Sequence, residues 1–327
     1  MTLSAAGISS YLSGCKTMES PPTKMPTEGA NAPTGASTLT TSPTIAESVP
    51  EPAYSDGVYL AVARGEGPGP AELTRRAIAA VGGIARYIQQ GADVIVKPNI
   101  CNAYHGPEYA STTNPEVVAA IVALCLDAGA GSVRVMDFPF GGKAKNAYET
   151  SGIAQAVEAV GGKMELMNSL KYQEVAIPDA MALNKTKVYA DILNADMVIN
   201  VPIAKHHSGA GLTLGLKNLM GVILNRGALH ANGLHQSIVD LSTIIKPQLT
   251  VIDATHILVA NGPTGGSLND VRQMDTVIAS ADVVAADAYA ATLFNMTGAD
   301  IEYIRLADQV GLGTMDFTSI NIETIDA

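Results

Sequence analysis

Tryptophan is absent from this 327-residue chain and phenylalanine occurs only four times, so aromatic platforms for stacking sugars or bases are scarce. Cysteine is confined to Cys15, Cys101 and Cys125. Three scattered thiols do not supply a four-thiolate site, so no iron–sulfur cluster or zinc ribbon is expected within the chain. Cys101 and Cys125 are free to pair, but two cysteines make no disulfide framework, and Cys125 in "VVAAIVALCLDAG" reads as a packed helix residue. Positive charge is also short: 20 Lys and Arg face 31 Asp and Glu, a net charge of −11. That argues against nucleic acid as a partner, because a duplex-binding surface needs dense positive charge to displace counterions. No apolar run approaches the roughly 18 residues that signal a membrane span.

What is present suffices for a large core, with 47% hydrophobic residues. The amino terminus is set apart. "MTLSAAGISSYLSGCK" is small and apolar and reaches Leu12-Ser13-Gly14-Cys15, which matches the box cleaved before a lipid-modified cysteine in exported bacterial lipoproteins. It lacks the positive stretch that opens a signal peptide. Residues 1–15 therefore read as a truncated lipoprotein-type signal remnant, 16–53 as a flexible Pro/Ser/Thr-rich tether, and 54–327 as the folded domain. This predicts an exported protein, periplasmic or membrane-anchored, touching the membrane only through a lipid on Cys15. A cytoplasmic chain with a frayed tail is the alternative.

From Tyr54 onward short β-branched runs alternate with Ala-rich ones: "GVYLAVARG", "ADVIVKPN", "GSVRVMDF", "ADMVINVP" and "QLTVIDATHI" as strands, "AELTRRAIAAVGGIARYIQ", "TTNPEVVAAIVALCLDAGA", "NAYETSGIAQAVEAVGG", "DVVAADAYAATLFNMTG" and "IEYIRLADQVGLG" as helices. Asn114, Pro115 and Glu116 form a helix start. The alternation predicts an α/β fold with a mostly parallel sheet flanked by helices, and a small inserted lobe around residues 138–195. Ligands of open parallel sheets sit beyond the carboxyl ends of the strands, which here end in Lys97 and Asn99, Asp137, Lys205 to His207, and Asp253 with His256.

One interval stands out in so acidic a chain. Residues 197–239 contain no Asp or Glu, yet hold Lys205, Lys217, Arg226 and four of the six histidines. An electropositive pocket for a small anionic ligand explains this, with glycines 209, 211 and 215 allowing close approach and a helix beginning near Thr213 offering free amides. The plain alternative is that the glycines are turns and the lysines solvated stems. Neither a Walker A order nor a dinucleotide Gly fingerprint is present. Adjacent His206 and His207 cannot point the same way. His230 and His235 do not form an H-E-x-x-H pair, but histidines from separate loops with Asp137 or Asp253 suit a divalent metal, or a general acid and base. A buried Asp287 would need Lys217 or a helix amide as partner.

"VIVKPNI", "TTNPEVVAAIV", "ADMVINVPIAKHH", "TLGLKNLMGVI", "LTVIDA", "GPTGG" and "ASADVVAADAYAA" occur in the order seen in the prokaryotic domain of unknown function family numbered 362, which the chain resembles over about residues 56–322. The resemblance maps a "KPN" element to Lys97, Pro98 and Asn99, and a lysine–histidine element to Lys205 and His206, with His207 a local variation. It maps an "LKN…G" element to Leu216, Lys217, Asn218 and Gly221, and single positions to His230 and Asp287. Some members carry ferredoxin-type modules or twin-arginine signals, which implies redox partner proteins; this chain has no such cysteine run.

Two accounts of function follow. In the first, an enzyme acts on a small anion, with Lys205, His206, Lys217 and His230 as catalytic residues. Lys97, Asn99, Asn218 and Arg226 bind substrate, and a divalent metal lies on His206, His230, Asp253 and Asp137. In the second, the same residues make a non-catalytic anion- or metal-binding lipoprotein, or an accessory factor of a redox system.

Overall fold

A computed structural model describes residues 59–326. Twelve strands form among the described residues: β1 (Leu60–Arg64), β2 (Asp93–Pro98), β3 (Ser132–Val135), β4 (Lys163–Met164), β5 (Tyr172–Ala176), β6 (Lys185–Tyr189), β7 (Met197–Val201), β8 (Ile203–His207), β9 (Gly211–Thr213), β10 (Leu249–Leu258), β11 (Val271–Ser280) and β12 (Ile322–Asp326). Helices α1 (Gly69–Ala80), α2 (Pro115–Asp127), α3 (Ala144–Thr150), α4 (Ile153–Ala159) and α5 (Ala190–Asn194) belong to the first half. The second half contributes α6 (Gly215–Asn218), α7 (Arg226–Ala231), α8 (Leu234–Ile244), α9 (Val283–Thr292) and α10 (Glu302–Gln309).

Ten strands make one sheet in the order β12-β1-β11-β10-β7-β2-β3-β4, with β8 and β9 joined off β10. The run β10-β7-β2-β3-β4 is parallel, as the sequence predicts. Both faces are covered, and the side-chain alternation shows it: Val94 and Val96 of β2 pack into one apolar cluster with Ile78, Val118 and Val157 of α1, α2 and α4. Ile95 enters the opposite cluster, with Ile238 of α8 and Ile304 of α10.

Three departures from the predicted elements have local causes. The helix expected across "NAYETSGIAQAVEAVGG" breaks into α3 and α4 where Gly152 takes φ 73°, a left-handed turn that interrupts the helical ladder. The expected strand "ADMVINVP" is β7, and the "IAKHH" beyond it forms a further strand, because Pro202 has no amide to extend the ladder: β7 stays between β10 and β2, and β8 pairs with β10 and β9. Finally, β11 is inserted antiparallel between β1 and β10, which makes the sheet mixed.

The lobe expected within 138–195 is the antiparallel hairpin β5–β6 with its flanking turns. It is clamped by Asp240 of α8, whose buried carboxylate accepts the backbone amides of Met181, Ala182 and Leu183 at 2.8–3.3 Å. Asp240→Ala leaves those amides without their acceptor, at roughly 1–3 kcal/mol per buried group. It is expected to lower stability by about 2–4 kcal/mol in urea unfolding and to raise hydrogen exchange at residues 181–183 selectively; unchanged exchange there would rule the clamp out.

Candidate functional site

The carboxyl ends of β2 and β3 meet α6 in a buried polar cluster. Lys97, the penultimate residue of β2, is 1% exposed, and its Nζ donates to Asp137 Oδ1 at 2.8 Å, Asn218 Oδ1 at 3.1 Å and the Pro98 carbonyl at 2.9 Å. Asp137, just past β3, also accepts the Ile100 amide at 2.7 Å. Asn218 closes the frame: it accepts from Asn99 Nδ2 at 2.9 Å and donates to Asn200 Oδ1 at 2.9 Å, while Asn200 donates to the Gly215 carbonyl. Burial pulls the Lys97 amine below its ordinary range, and Asp137 pulls it back.

Lys205 projects from β8 and is likewise 1% exposed. Its three donors meet neutral oxygens: Asn99 Oδ1 at 3.0 Å, the Ser111 carbonyl at 2.6 Å and the Pro263 carbonyl at 3.0 Å. Lys217, on α6, is 8% exposed and differs from both. Among the described residues its Nζ has one contact, Met220 Sδ at 3.7 Å, and no carboxylate. An ammonium carries three donors, so Lys217 alone of the three lysines keeps donors in hand. Burial, and then the charges of Lys205 and Arg226, lower its pKa from 10.5 to about 7, with Cys101 opposing. Arg226 of α7 is half-buried, lies over the Phe138 ring at 4.8 Å and spends one donor on the Pro139 carbonyl.

Lys97, Asn99, Asp137, Lys205 and Asn218 thus share one hydrogen-bonded network, with Lys217 and Arg226 in the field of Lys205, and among the described residues Asp137 is the only carboxylate bonded to any of the four cations. The cluster also includes two residues outside the expected catalytic, binding and metal sets, although His207 was expected at the strand end beside Lys205. Cys101 is buried beside Lys217, with Sγ 3.3 Å from the same Pro263 carbonyl that Lys205 uses. His207 lies within the field of Lys217, Lys205 and both His206 and His230, and burial followed by those charges lowers its pKa to about 3, leaving it neutral. Its Nδ1 accepts the Gly209 amide at 3.0 Å, which puts the proton on Nε2. The sequence signal for Cys101 was proximity to the "KPN" element, and for His207 its strand-end position within the carboxylate-free interval.

Other expected site residues have different duties. His206 Nδ1 accepts the Gly262 amide at 3.1 Å, on β8 beside His207, so the two histidines do serve different partners. His230 sits exposed on α7 rather than in a loop, with its pKa lowered by burial and Lys217. Asp253 is fully buried and caps the approach to α2 by accepting the Asn114 amide at 2.7 Å and the Thr255 amide and hydroxyl. With Asp137 on Lys97 and Asp253 on backbone amides, the metal set His206, His230, Asp253 and Asp137 is not assembled. Among the described residues no group of three or more His, Cys, Asp or Glu side chains could hold a metal ion.

The helix start offered to an anion is also taken. Asp287, buried in α9, accepts the Gly215 and Leu216 amides at 2.6 and 2.9 Å, so the four-residue α6 begins on a carboxylate of the protein itself. Burial pushes the Asp287 pKa up to about 8 against those two donors. The depressions beside Arg64 and Asp275, about 470 Å³, and beside Thr297 and Phe317, about 340 Å³, contain none of the cluster residues.

The family model described as Domain of unknown function (DUF362) matches residues 94–292, which include every residue of the cluster. The chain belongs to the DUF362 family. A curated relative, thylakoid-associated protein sll1697 of Synechocystis sp., is 28% identical over 240 residues, covering 71% of this chain and 72% of that one. Among solved structures, the lactate racemase apoprotein of Thermoanaerobacterium thermosaccharolyticum aligns at 12% identity with a TM-score of 0.41, covering 68% of this chain and 54% of that one. A Thermotoga maritima protein aligns at 13% identity with a TM-score of 0.43, covering 75% and 60%. This DUF362 chain therefore spans less than two thirds of either solved chain.

These findings correct the expected location. No helix among the described residues is long and apolar enough to cross a membrane. The exported, membrane-anchored placement is withdrawn. The remnant and tether that suggested it, residues 1–15 and 16–53, lie outside the described residues.

Two substitutions test the cluster. A Cβ at Gly221 would overlap Asp137 Oδ1 and fall 2.6 Å from Lys97 Nζ, so Gly221→Ala must displace the ion pair. It is expected to cost roughly 2–4 kcal/mol, the range for strain at a buried charged pair, and a loss under 0.5 kcal/mol in urea unfolding would contradict the geometry.

Lys217→Met removes an unpaired buried amine at similar volume and is expected to stabilise the ligand-free protein by roughly 1–4 kcal/mol near pH 6. The sign follows from proton uptake: between about 7 and 10.5 the unfolded chain holds the Lys217 proton and the folded chain does not, so wild-type stability gains with rising pH. The advantage of the Met variant is complete below pH 7 and fades toward pH 10.5. A pH-independent difference in stability would show that Lys217 titrates normally.

Proposed function

We propose that this protein binds a small anion at Lys217 and Arg226, within the positive field of Lys97 and Lys205. The observation that carries this reading is the unspent ammonium of Lys217, a buried amine without a hydrogen-bonding oxygen among the described residues. Burying a cation among other cations is costly, and an anionic occupant reverses that cost by supplying both the countercharge and the acceptors. Arg226, with donors to spare beyond Pro139, gives a second, planar contact suited to a carboxylate or phosphate. Lys97 and Lys205 do not reach for the ligand, because their donors are occupied. They hold the frame and contribute charge.

Neutral His207, with its proton on Nε2, is the group beside these lysines suited to hydrogen-bond an anion without adding charge. Such a site serves an enzyme or a carrier equally, since both begin with capture of the anion.

Thermal unfolding followed by circular dichroism, in the presence of phosphate, sulfate, oxalate and pyruvate, tests the reading. At a hundredfold excess over its dissociation constant a bound anion adds about 2.7 kcal/mol, a rise of several degrees in Tm for a chain of this size. At least one of these oxyanions is expected to give that rise in the wild type and not in Lys217→Met. Equal shifts in both proteins, or none in either, would remove Lys217 from anion binding.

A further inference from the structure

We propose that Lys217 is a nucleophilic amine toward a small oxo acid, joining the carbonyl carbon as an imine while Arg226 and the charge of Lys205 hold the carboxylate. This rests on the anion site above and deepens it to a substrate class. Three features of the cluster support it. Lys217 is 8% exposed, yet among the described residues its amine lacks the carboxylate that accompanies Lys97 and the three carbonyl-type oxygens that surround Lys205. It sits among cations, Lys205 and Arg226, which disfavour its protonated form. Desolvation in a pocket beside another cationic group is how a lysine is made nucleophilic at neutral pH.

An occupant that needed only countercharge would be served by a protonated ammonium. Here charge on Lys217 is costly, and a free lone pair is not, so the amine is set up for an electrophilic carbon rather than for a permanent ion pair. Arg226 remains available for the anionic end of the same small molecule.

The step balances without an oxidant or reductant. The Nζ lone pair forms a bond to the carbonyl carbon, the C=O π electrons move to oxygen, and a proton passes from nitrogen to that oxygen to give a carbinolamine. Loss of the hydroxyl with the second amine proton, as water, leaves the C=N bond.

The test treats the full-length chain with pyruvate or glyoxylate and sodium cyanoborohydride, which reduces an imine to a stable secondary amine, and maps the mass increase by peptide mass spectrometry. Thermal shifts with lactate, a carboxylate without a carbonyl, are measured in parallel. The expected result is an adduct on Lys217 at least tenfold faster at pH 7 than on the exposed Lys145, and no adduct in that peptide for Lys217→Arg. The rate at Lys217 rises about tenfold from pH 6 to pH 8, against about a hundredfold for an ordinary lysine. A lactate shift with no Lys217 adduct from either oxo acid overturns the imine and leaves the anion site standing. Absence of both the shift and the adduct overturns both, and labelling confined to exposed lysines also overturns the imine.

Discussion

The ion pair between Lys97 and Asp137, 2.8 Å long and sealed from solvent, is the contact on which the arrangement of this site depends. It ties the end of β2 to the end of β3, and through Asn218 it fixes α6 against both. Gly221 is part of the same constraint, because the backbone after α6 passes too close to the pair to carry a side chain. Once that frame is set, Lys217 has little choice of position. It is carried into a space where Lys205 and Arg226 are already present and the one carboxylate is already engaged. A buried pair of this kind contributes little net stability, since desolvation offsets most of the attraction. Its value here lies in positioning.

The contrast between the acidic chain and its cationic interior follows from the same frame. A net charge of −11 gives any small anion a weakly repulsive approach, but at ordinary salt that field decays over about 8–10 Å. Capture is decided within the cluster, where low polarisability strengthens each contact. The acidic residues around it are spent on structure: Asp240 holds the lobe, Asp253 the start of α2 and Asp287 the start of α6.

Much of this was legible in the sequence. The parallel strands β2, β3, β7 and β10 were visible as β-branched runs, because buried parallel strands are apolar throughout. The carboxylate-free interval pointed to Lys205, Lys217 and Arg226, the strand ends to Lys97, Asn99 and Asp137, and the family resemblance added Asn218. What was hidden depended on contacts distant in sequence. Nothing local marks "VRQMDTVIAS" as the antiparallel β11, since its amino-terminal half is polar and its pairing comes from β1 and β10. Asp287 occupies the amides of Gly215 and Leu216 from about 70 residues away, so the open helix start was a sound local inference defeated by a distant carboxylate. Lys205 and Lys217 look alike as residue types. The carbonyls of Ser111 and Pro263 and the side-chain oxygen of Asn99 distinguish the satisfied amine from the unsatisfied one.

The central claim is that burial and the neighbouring cations lower the Lys217 amine to a pKa of about 7, and that an anion in the site shifts it. Nuclear magnetic resonance of 15Nζ-labelled lysine, titrated with and without pyruvate or phosphate and assigned by the Lys217→Arg variant, measures this directly. The account predicts one resonance with a midpoint near 7 in the free protein, displaced when the site is filled. A Lys217 signal that titrates near 10.5 and ignores both anions would contradict it.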